Sequence, residues 1–246
     1  MDNYKVNRET MKSTFTQIVS SDQEKGIAQP PLEKPFPKEA ILIDLPEVEK
    51  DILRKGNIYD CIMDRKSNRI YRDEELSLEE LSFLLKTTAQ IKEIKADGYV
   101  GLRPVPSAGG RHPFETYLAV NNVKGLVKGI YRYLPLEDKL LLIKEEENIA
   151  NIVSEGANRQ KFVSNAQVTF IWSCIPYRTE WRYAHRSYKI MLLDAGHICH
   201  GLYLSCEAIG LGTCAIASYN QEFMDELLGI DGEDEFVVYM SPVGRV

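Results

Sequence analysis

The residues with the clearest capacity for chemistry lie in the loop of residues 103–117, which reads RPVPSAGGRHPFETY. Its prolines hold the approach extended. Ser107, Gly109 and Gly110 leave backbone N–H groups free and let the chain pass close to a planar or anionic ligand. Arg111 and His112 add positive charge and a titratable donor. The pattern fits a ligand-binding loop, and it fits an ordinary turn before an apolar strand equally well.

A second candidate site is the basic segment of residues 65–69, Arg-Lys-Ser-Asn-Arg. Arg65, Ser67 and Arg69 alternate, so that in an extended chain their side chains share one side and converge on one anion. Phosphate is a ligand that such charge-assisted donors suit. Taken alone, the segment is more often an exposed basic run before a helix.

A third stretch, residues 177–188, mixes aromatic rings with three arginines in YRTEWRYAHRSY. Aromatic faces beside fixed cations suit a flat, electron-poor molecule. Trp181, Tyr183, His185 and Tyr188 are therefore candidates to face a substrate. Packing at the start of a helix explains the same rings equally well.

Two other kinds of site are not expected. His197, Cys199 and His200 are close in sequence, but a zinc site needs four converging ligands and the cysteines fall on different faces of an apolar helix. Gly210 and Gly212 follow a helix and lack the third glycine of a dinucleotide fingerprint, and no phosphate-binding P-loop motif occurs. The sequence therefore predicts neither a metal centre nor a resident NAD or ATP fold.

Hydrophobic periodicity predicts the elements that would position these residues. Residues 114–121 and 130–144 alternate as a strand and a hairpin, and 168–174 (VTFIWSC) is a continuous apolar run typical of a buried central strand. Residues 185–209 form a helix that is apolar on more than one face, as in a layer interior or a subunit interface. Residues 77–80 form a capping box. Further helices are predicted at 46–55, 148–155, 159–163 and 221–229, and a last strand at 234–243.

Residues 1–45 are predicted to be an extended arm and residues 46–246 one domain. Prolines 30, 31, 35 and 37 exclude a helix or central strand there. The arm either wraps a neighbouring subunit or is disordered.

Composition narrows the class of protein. The net charge of −6 argues against a general affinity for nucleic acid or anionic membrane. The five cysteines lie in apolar runs without CxxC spacing and read as reduced core thiols. Neither a signal peptide nor a long uncharged apolar stretch is evident, which predicts a cytoplasmic location.

Five blocks, in order, resemble those of the SagB-type branch of the nitroreductase flavoprotein superfamily. They are RKSNR at 65–69, PSAGGRHPFE at 106–115, GIYRYLP at 129–135, LLDAGH at 192–197 and GLGTC at 210–214. A matching tail, LLGIDGEDEF, follows at 227–236. The blocks leave the N-terminal arm outside the resemblance.

The resemblance implies a nitroreductase-like α+β fold. In it, helices flank a central mixed or antiparallel β-sheet, and a long buried helix lies at a homodimer interface. It also implies FMN as cofactor, NADH or NADPH as transient donor, and hydride transfer through the flavin N5 to or from a small, flat organic substrate.

The resemblance further assigns roles to residues. Arg65 and Ser67 would hold the FMN phosphate and Arg69 the N1/O2 edge, while the loop would cover the ring edge from the second subunit. The backbone of residues 216–218 would offer N5 a donor, and Arg245 would be a second phosphate contact. The implied cofactor-binding residues are Arg65, Ser67, Arg69, Pro106, Ser107, Ala108, Gly109, Gly110, Gly212, Ile216, Ala217, Ser218 and Arg245.

The sequence departs from the family pattern at three places. Many relatives have asparagine at Gly110, so a backbone group or Arg111 must replace its amide contact. Ala217 replaces a glycine, which a backbone donor tolerates if φ is negative. Arg182 replaces a lysine implicated with Tyr183 in proton transfer. Because arginine stays protonated near pH 7, Tyr183, whose phenolate is favoured by nearby cations, is the better candidate for that role, and these two residues form the predicted catalytic pair.

Two alternatives to a general flavin oxidoreductase remain. One is an azoline dehydrogenase in peptide maturation, which the lost lysine weakens. The other, of a different class, is a flavin-binding module without turnover.

Overall fold

The computed structural model describes residues 3–12 and 19–246, so that residues 1, 2 and 13–18 of the predicted arm lie outside the description. Within these ranges the α-helices are α1 Asn3–Met11, α2 Ile58–Asp64, α3 Leu78–Thr88, α4 Ile149–Gly156, α5 Lys161–Ser164, α6 Tyr177–Tyr183, α7 Ser187–Ala208 and α8 Gln221–Leu228. The strands are β1 Leu42–Asp44, β2 Glu93–Lys95, β3 Val100–Leu102, β4 Phe114–Val120, β5 Gly129–Leu134, β6 Lys139–Glu145, β7 Val168–Cys174, β8 Leu211–Thr213 and β9 Phe236–Arg245.

The central sheet contains seven strands in the order β1-β6-β5-β4-β7-β9-β8, and each neighbouring pair is antiparallel. β7 is buried along its whole length because its apolar run supplies side chains to both faces. Helices α3 and α7 pack on one face of the sheet, and α4 and α8 pack on the other. The predicted α+β fold is confirmed. The separate β2–β3 hairpin lies in residues that periodicity left unassigned.

Helix α7 confirms the predicted long helix with more than one apolar face. Its inward side chains join the core; they are Met191, Ala195, Ile198, Cys199, Leu202 and Cys206. On its outward face, Leu192 and Leu193 stay 64% and 56% exposed. Gly210, with φ of +73°, follows the helix end in the left-handed conformation that terminates helices. No helix in the described ranges, α7 included, is long and apolar enough to cross a membrane.

Helix α3 begins at the predicted capping box. Ser77 Oγ accepts a hydrogen bond from Glu80 N, and the Glu80 carboxylate accepts one from Ser77 N at 2.8 Å. The helix predicted for residues 46–55 is wrong, because only a 3-10 turn at Lys50–Ile52 forms there. The backbone N–H groups of Arg54 and Lys55 instead donate to the Ala208 carbonyl and satisfy the end of α7.

The N-terminal region packs on its own chain. Helix α1 forms inside the predicted extended arm, and residues 19–37, which we call the N-terminal strap, cross α6 and the 103–112 loop. Buried side chains form hydrogen bonds with the backbone of the strap: Arg178 donates to Pro31 O, and Glu115 accepts from Lys34 N. The prolines keep this backbone extended, so its polar groups face outward to such partners. The described part of the strap is therefore held by buried side chains of its own chain.

Candidate functional site

The basic segment follows α2 and runs beside the sheet edge. Ser67 pairs with Thr213 of β8 in a parallel bridge, and Asn68 N donates to Thr213 O at 2.9 Å. The Arg65 guanidinium lies 5.2 Å from the centre of the Tyr203 ring, and that of Arg69 lies 6.0 Å from Phe162. Among the residues that the structure describes, neither cation has a carboxylate within salt-bridge distance. Both keep their charge for another partner.

Tyr203 of α7 joins the basic segment to the chain after β8. Its hydroxyl bonds to Ser67 Oγ at 3.0 Å and accepts from Ala215 N at 2.8 Å. Sequence reasoning counted Tyr203 only as part of the apolar stripe. A hydroxyl-bearing ring in an otherwise apolar stripe was the signal that could have identified it, because a buried tyrosine oxygen usually has a partner.

Gly212 permits the basic segment to lie against β8, since a Cβ at this position would come within 2.6 Å of the Asn68 side-chain nitrogen. Beyond it, Ile216 N is used by a bridge to Met240 O at 2.7 Å. Ala217 and Ser218 are exposed, and Ala217 is absent from the described residues with positive φ. The condition for a backbone donor at Ala217 is thus met, whereas the Ile216 N–H is already bonded.

The 106–110 loop is held against the opposite end of α7. Ser107 Oγ donates to the buried Asp194 carboxylate at 2.5 Å, and Ala108 N donates to it at 3.3 Å. Ser107 Oγ also accepts from His112 N at 2.9 Å. Burial raises the pKa of Asp194 above its usual range, although the bonds from Ser107 and Ala108 oppose that shift. Pro106 remains exposed beside this contact.

The two loop glycines have left-handed backbone conformations that suit them. Gly109 has φ of +60° and Gly110 has φ of +63°. A Cβ on Gly109 would lie 2.7 Å from the Tyr183 hydroxyl oxygen and 3.1 Å from the Arg182 side chain. The structure therefore brings the loop together with both predicted catalytic residues. Arg182 in turn donates to the Tyr99 hydroxyl at 2.8 Å.

Arg111 and His112 do not supply the exposed charge and titratable donor that the sequence suggested. The Arg111 guanidinium is buried and donates to Tyr99 O at 2.6 Å and to Gly109 O at 3.2 Å. Burial, followed by the charge of Arg103, lowers the pKa of His112 to about 3, so that its ring is neutral near pH 7. Arg111 is turned into the protein, which counts against it as the replacement for the missing asparagine amide.

The Arg245 side chain is bonded to other groups of the folded chain. Its guanidinium makes a bidentate pair with Glu80, the capping-box residue of α3, at 2.9 and 2.8 Å, and it donates to Glu75 O. A bidentate carboxylate pair occupies the donors that a phosphate would need. This pairing counts against the phosphate role that the sequence suggested for Arg245.

The predicted residues thus form two clusters on α7. One contains the basic segment, Gly212 and residues 215–218 near Tyr203. The other contains the loop, Arg182 and Tyr183 near Asp194. Nine residues of helix separate Asp194 from Tyr203, which corresponds to about 14 Å at 1.5 Å per residue.

Comparison with known proteins identifies the fold and the family. The nitroreductase family model matches residues 62–245. A candidate nitroreductase of Methanocaldococcus jannaschii is 30% identical over 82% of this chain and 96% of its own. The trifolitoxin-processing protein TfxB of Rhizobium leguminosarum is 29% identical, and the match covers 64% of this chain but only 44% of TfxB.

Among solved structures, a candidate nitroreductase of Anabaena variabilis is similar with a TM-score of 0.71 and 26% identity, over 85% of this chain and 42% of that one. The similarity to a peptide-processing protein supports the SagB-type resemblance noted in the sequence blocks. The antiparallel sheet, the long helix and the match over residues 62–245 lead to one conclusion: the chain belongs to the nitroreductase family.

Proposed function

We propose that the chain is an FMN-dependent oxidoreductase, with hydride passing through N5 of the flavin to or from a small, flat organic substrate and NADH or NADPH as transient donor. The observation that carries this proposal is the pair of guanidinium groups, Arg65 and Arg69, that flank Ser67 without carboxylate partners in the described chain. Family membership supports oxidoreductase chemistry at such a site.

The residues at this end of α7 fit the demands of FMN. A phosphate dianion needs cationic and hydroxyl donors, which Arg65 and Ser67 offer. Positive charge near N1/O2 stabilises the reduced anion, and we assign that role to Arg69, an exposed cation. The backbone N–H of Ala217 is the candidate donor toward N5. Tyr203 would stabilise this set by holding Ser67 and Ala215 together.

We further propose that two copies of the chain complete each site. The loop lies at one end of α7 and the basic segment at the other, so two copies packed antiparallel along α7 would bring the loop of one beside the basic segment of its partner. The outward surface suits such packing, because it exposes apolar side chains on neighbouring helices α2 and α7; these are Ile58, Tyr59, Ile62, Met63, Leu192 and Leu193. Large apolar side chains exposed on a surface in this way are typical of a region that a partner covers.

Sedimentation tests the dimer. We expect a dimer at micromolar concentration, and we expect Leu192→Asp to produce monomers with weakened FMN binding. Val127→Asp, at an exposed site away from these helices, is the matched control and should remain dimeric. A stable wild-type monomer that binds FMN normally would contradict the shared site.

The absorption spectrum tests the activity. The purified protein should be yellow, should bleach with NADH or NADPH, and should recover its colour with a quinone or nitroaromatic acceptor. Binding without this cycle would indicate a flavin-binding module, and a colourless protein that takes up no added FMN would contradict the proposal.

A second candidate function, azoline oxidation in peptide maturation, is favoured by the similarity to TfxB. Against it, Arg182 cannot act as the base that a lysine could become. Offering a thiazoline peptide to the oxidised protein and a quinone to the reduced protein separates the two activities. Arg182→Lys should raise turnover only of the peptide if azoline oxidation is the native reaction.

A further inference from the structure

The N-terminal strap is bonded to the helix that carries the predicted catalytic pair. Gln23 N donates to Trp181 O at 2.9 Å, and Trp181 Nε1 donates back to Ile27 O at 2.8 Å. Gln23 also donates from its side chain to the Tyr99 hydroxyl at 2.6 Å, the same oxygen that accepts from Arg182. The strap therefore reaches the site through α6 and through the tip of the β2–β3 hairpin.

Gln29 links the strap to the 106–110 loop. Its side-chain nitrogen donates to Gly98 O at 2.8 Å, and its side-chain oxygen accepts from Arg111 at 3.2 Å. Arg111 in turn donates to Gly109 O in the loop. Gln29 thus fixes the position of Arg111, and Arg111 fixes the position of the Gly109 carbonyl. Tyr183 lies close to Gly109 at this point.

Arg111 depends strongly on each acceptor because of where it lies. Its guanidinium is 4.6 Å from the centre of the Tyr99 ring and 5.4 Å from that of Trp181, and the residue is only 4% exposed. Within the described residues no carboxylate pairs with it, so three neutral oxygens carry its charge: Gln29 Oε1, Tyr99 O and Gly109 O. Removing the only side-chain acceptor leaves a buried, charged N–H without a partner.

We propose that Gln29 is a positioning residue for the loop that covers the flavin, acting through Arg111, and that the strap is thereby part of the functional site. This inference rests on the proposed flavin function. It assigns the strap a role in cofactor binding that the family motifs, which begin at residue 65, do not contain.

The test compares Gln29→Ala with Gln29→Glu and with Lys25→Ala. Lys25 lies in the same strap and its exposed ammonium pairs with Asp22 rather than with the loop, so its variant is the matched control. We expect Gln29→Ala to raise the FMN dissociation constant about tenfold, in line with the loss of one bond to a charged group. Gln29→Glu keeps an acceptor for Arg111 and should restore affinity to within about threefold of wild type.

A second measurement follows the loop without flavin. Trp181 is in contact with Arg111, whereas Trp172 is fully buried and serves as a constant background. Acrylamide quenching of tryptophan fluorescence in the apo-protein should increase in Gln29→Ala and stay unchanged in Lys25→Ala. Urea unfolding checks that the variant keeps its global stability. If the substitution acted only by weakening the fold, the free energy of unfolding would fall.

The outcomes separate this inference from the proposed function. If wild-type protein binds FMN and Gln29→Ala binds it equally well, the inference is wrong whatever the quenching shows. If the wild type binds no FMN, the proposed function fails, and quenching alone decides whether Gln29 positions the loop: an increase supports it and no change overturns it. Should Gln29→Ala not fold, Gln29→Met takes its place in the same comparison, because it keeps the length of the side chain and offers Arg111 only a weak sulfur acceptor.

Discussion

The two ends of α7 hold the two halves of the candidate site, and they are built in different ways. Near Asp194, the loop's donors already have acceptors within the chain, from the aspartate itself to the strap. Near Tyr203, Arg65 and Arg69 rest on aromatic rings without carboxylate partners in the described chain. The first end is complete before a ligand arrives, whereas the second keeps positive charge that a ligand can neutralise. Loss of the buried ion pair behind the loop should therefore lower mainly the stability of the protein, whereas loss of Arg65 or Arg69 at the second end should lower mainly its affinity for FMN.

The largest effect is expected from removing the buried ion pair between Arg178 and Glu115, which lies behind the loop. Arg178→Ala would leave the Glu115 carboxylate buried without its cation, since both side chains are under 5% exposed. We expect a loss of about 3–5 kcal/mol in the free energy of unfolding, measured by urea titration. Arg159→Ala, which removes a 4.0 Å pair on the surface, is the control and should change stability by under about 0.5 kcal/mol. Equal losses in both would show that the buried pair contributes no more to stability than a surface pair does.

The next effect concerns the contact of α6 with the loop. Tyr183→Phe should lower turnover about a hundredfold, within the range for general acid–base groups, while the flavin spectrum and the fold stay intact. Stopped-flow measurement should place the loss in acceptor reduction rather than in flavin reduction by NAD(P)H. Tyr177→Phe, at the exposed start of the same helix, is the control. Unchanged rates in both half-reactions would show that Tyr183 only packs against the site and transfers no proton.

At the open end of α7, Arg65→Ala and Arg69→Ala should each raise the FMN dissociation constant tenfold or more. A charge-assisted bond to phosphate contributes roughly 1.5–3 kcal/mol. Stability should hardly change, because neither cation has a carboxylate partner among the described residues. Lys66→Ala, between them and exposed, is the control for general loss of charge. Wild-type flavin affinity in both arginine variants would remove the segment from the site.

The smallest effect is a pH dependence at the strap. Burial, then the bond to Glu137, raises the pKa of Glu33 to about 8, so the folded protein binds this proton more tightly than the unfolded chain does. Stability from this group is therefore present below about pH 4.5 and is lost as pH rises to about 8. We expect stability to fall as the pH is raised from 5 to 8, seen as a lower Tm. Glu33→Gln should remove most of this slope, and an identical slope would contradict the assignment.

The sequence predicted those parts of the fold that depend on local pattern. The continuous apolar run of β7, the capping box of α3 and the glycine stop after α7 lie where periodicity and turn chemistry put them. The predicted 46–55 helix fails because its backbone donors serve the end of α7, a tertiary contact that no local pattern reveals.

In the candidate site, too, local features could be predicted from the sequence and long-range contacts could not. The structure brings Gly109 of the predicted ligand-binding loop close to Tyr183, and the roles of both residues toward a flavin stay predictions. The roles of Arg111 and Arg245 were not predictable, because their partners Gln29 and Glu80 lie 82 and 165 residues away in the chain. A sequence shows which residues are charged, but it does not show which acceptor groups their side chains bind in the folded protein.

The strap also bears on how the chain reaches its folded state. Its bonds to α6 join residues 154 and 147 positions apart, so they can close only after α6 has formed, and long-range closure is slow relative to local folding. On the ribosome, the strap emerges early and its partners emerge much later. The strap is therefore expected to dock only after α6, which is synthesised later, has formed, and the loop would acquire its final shape only at that step.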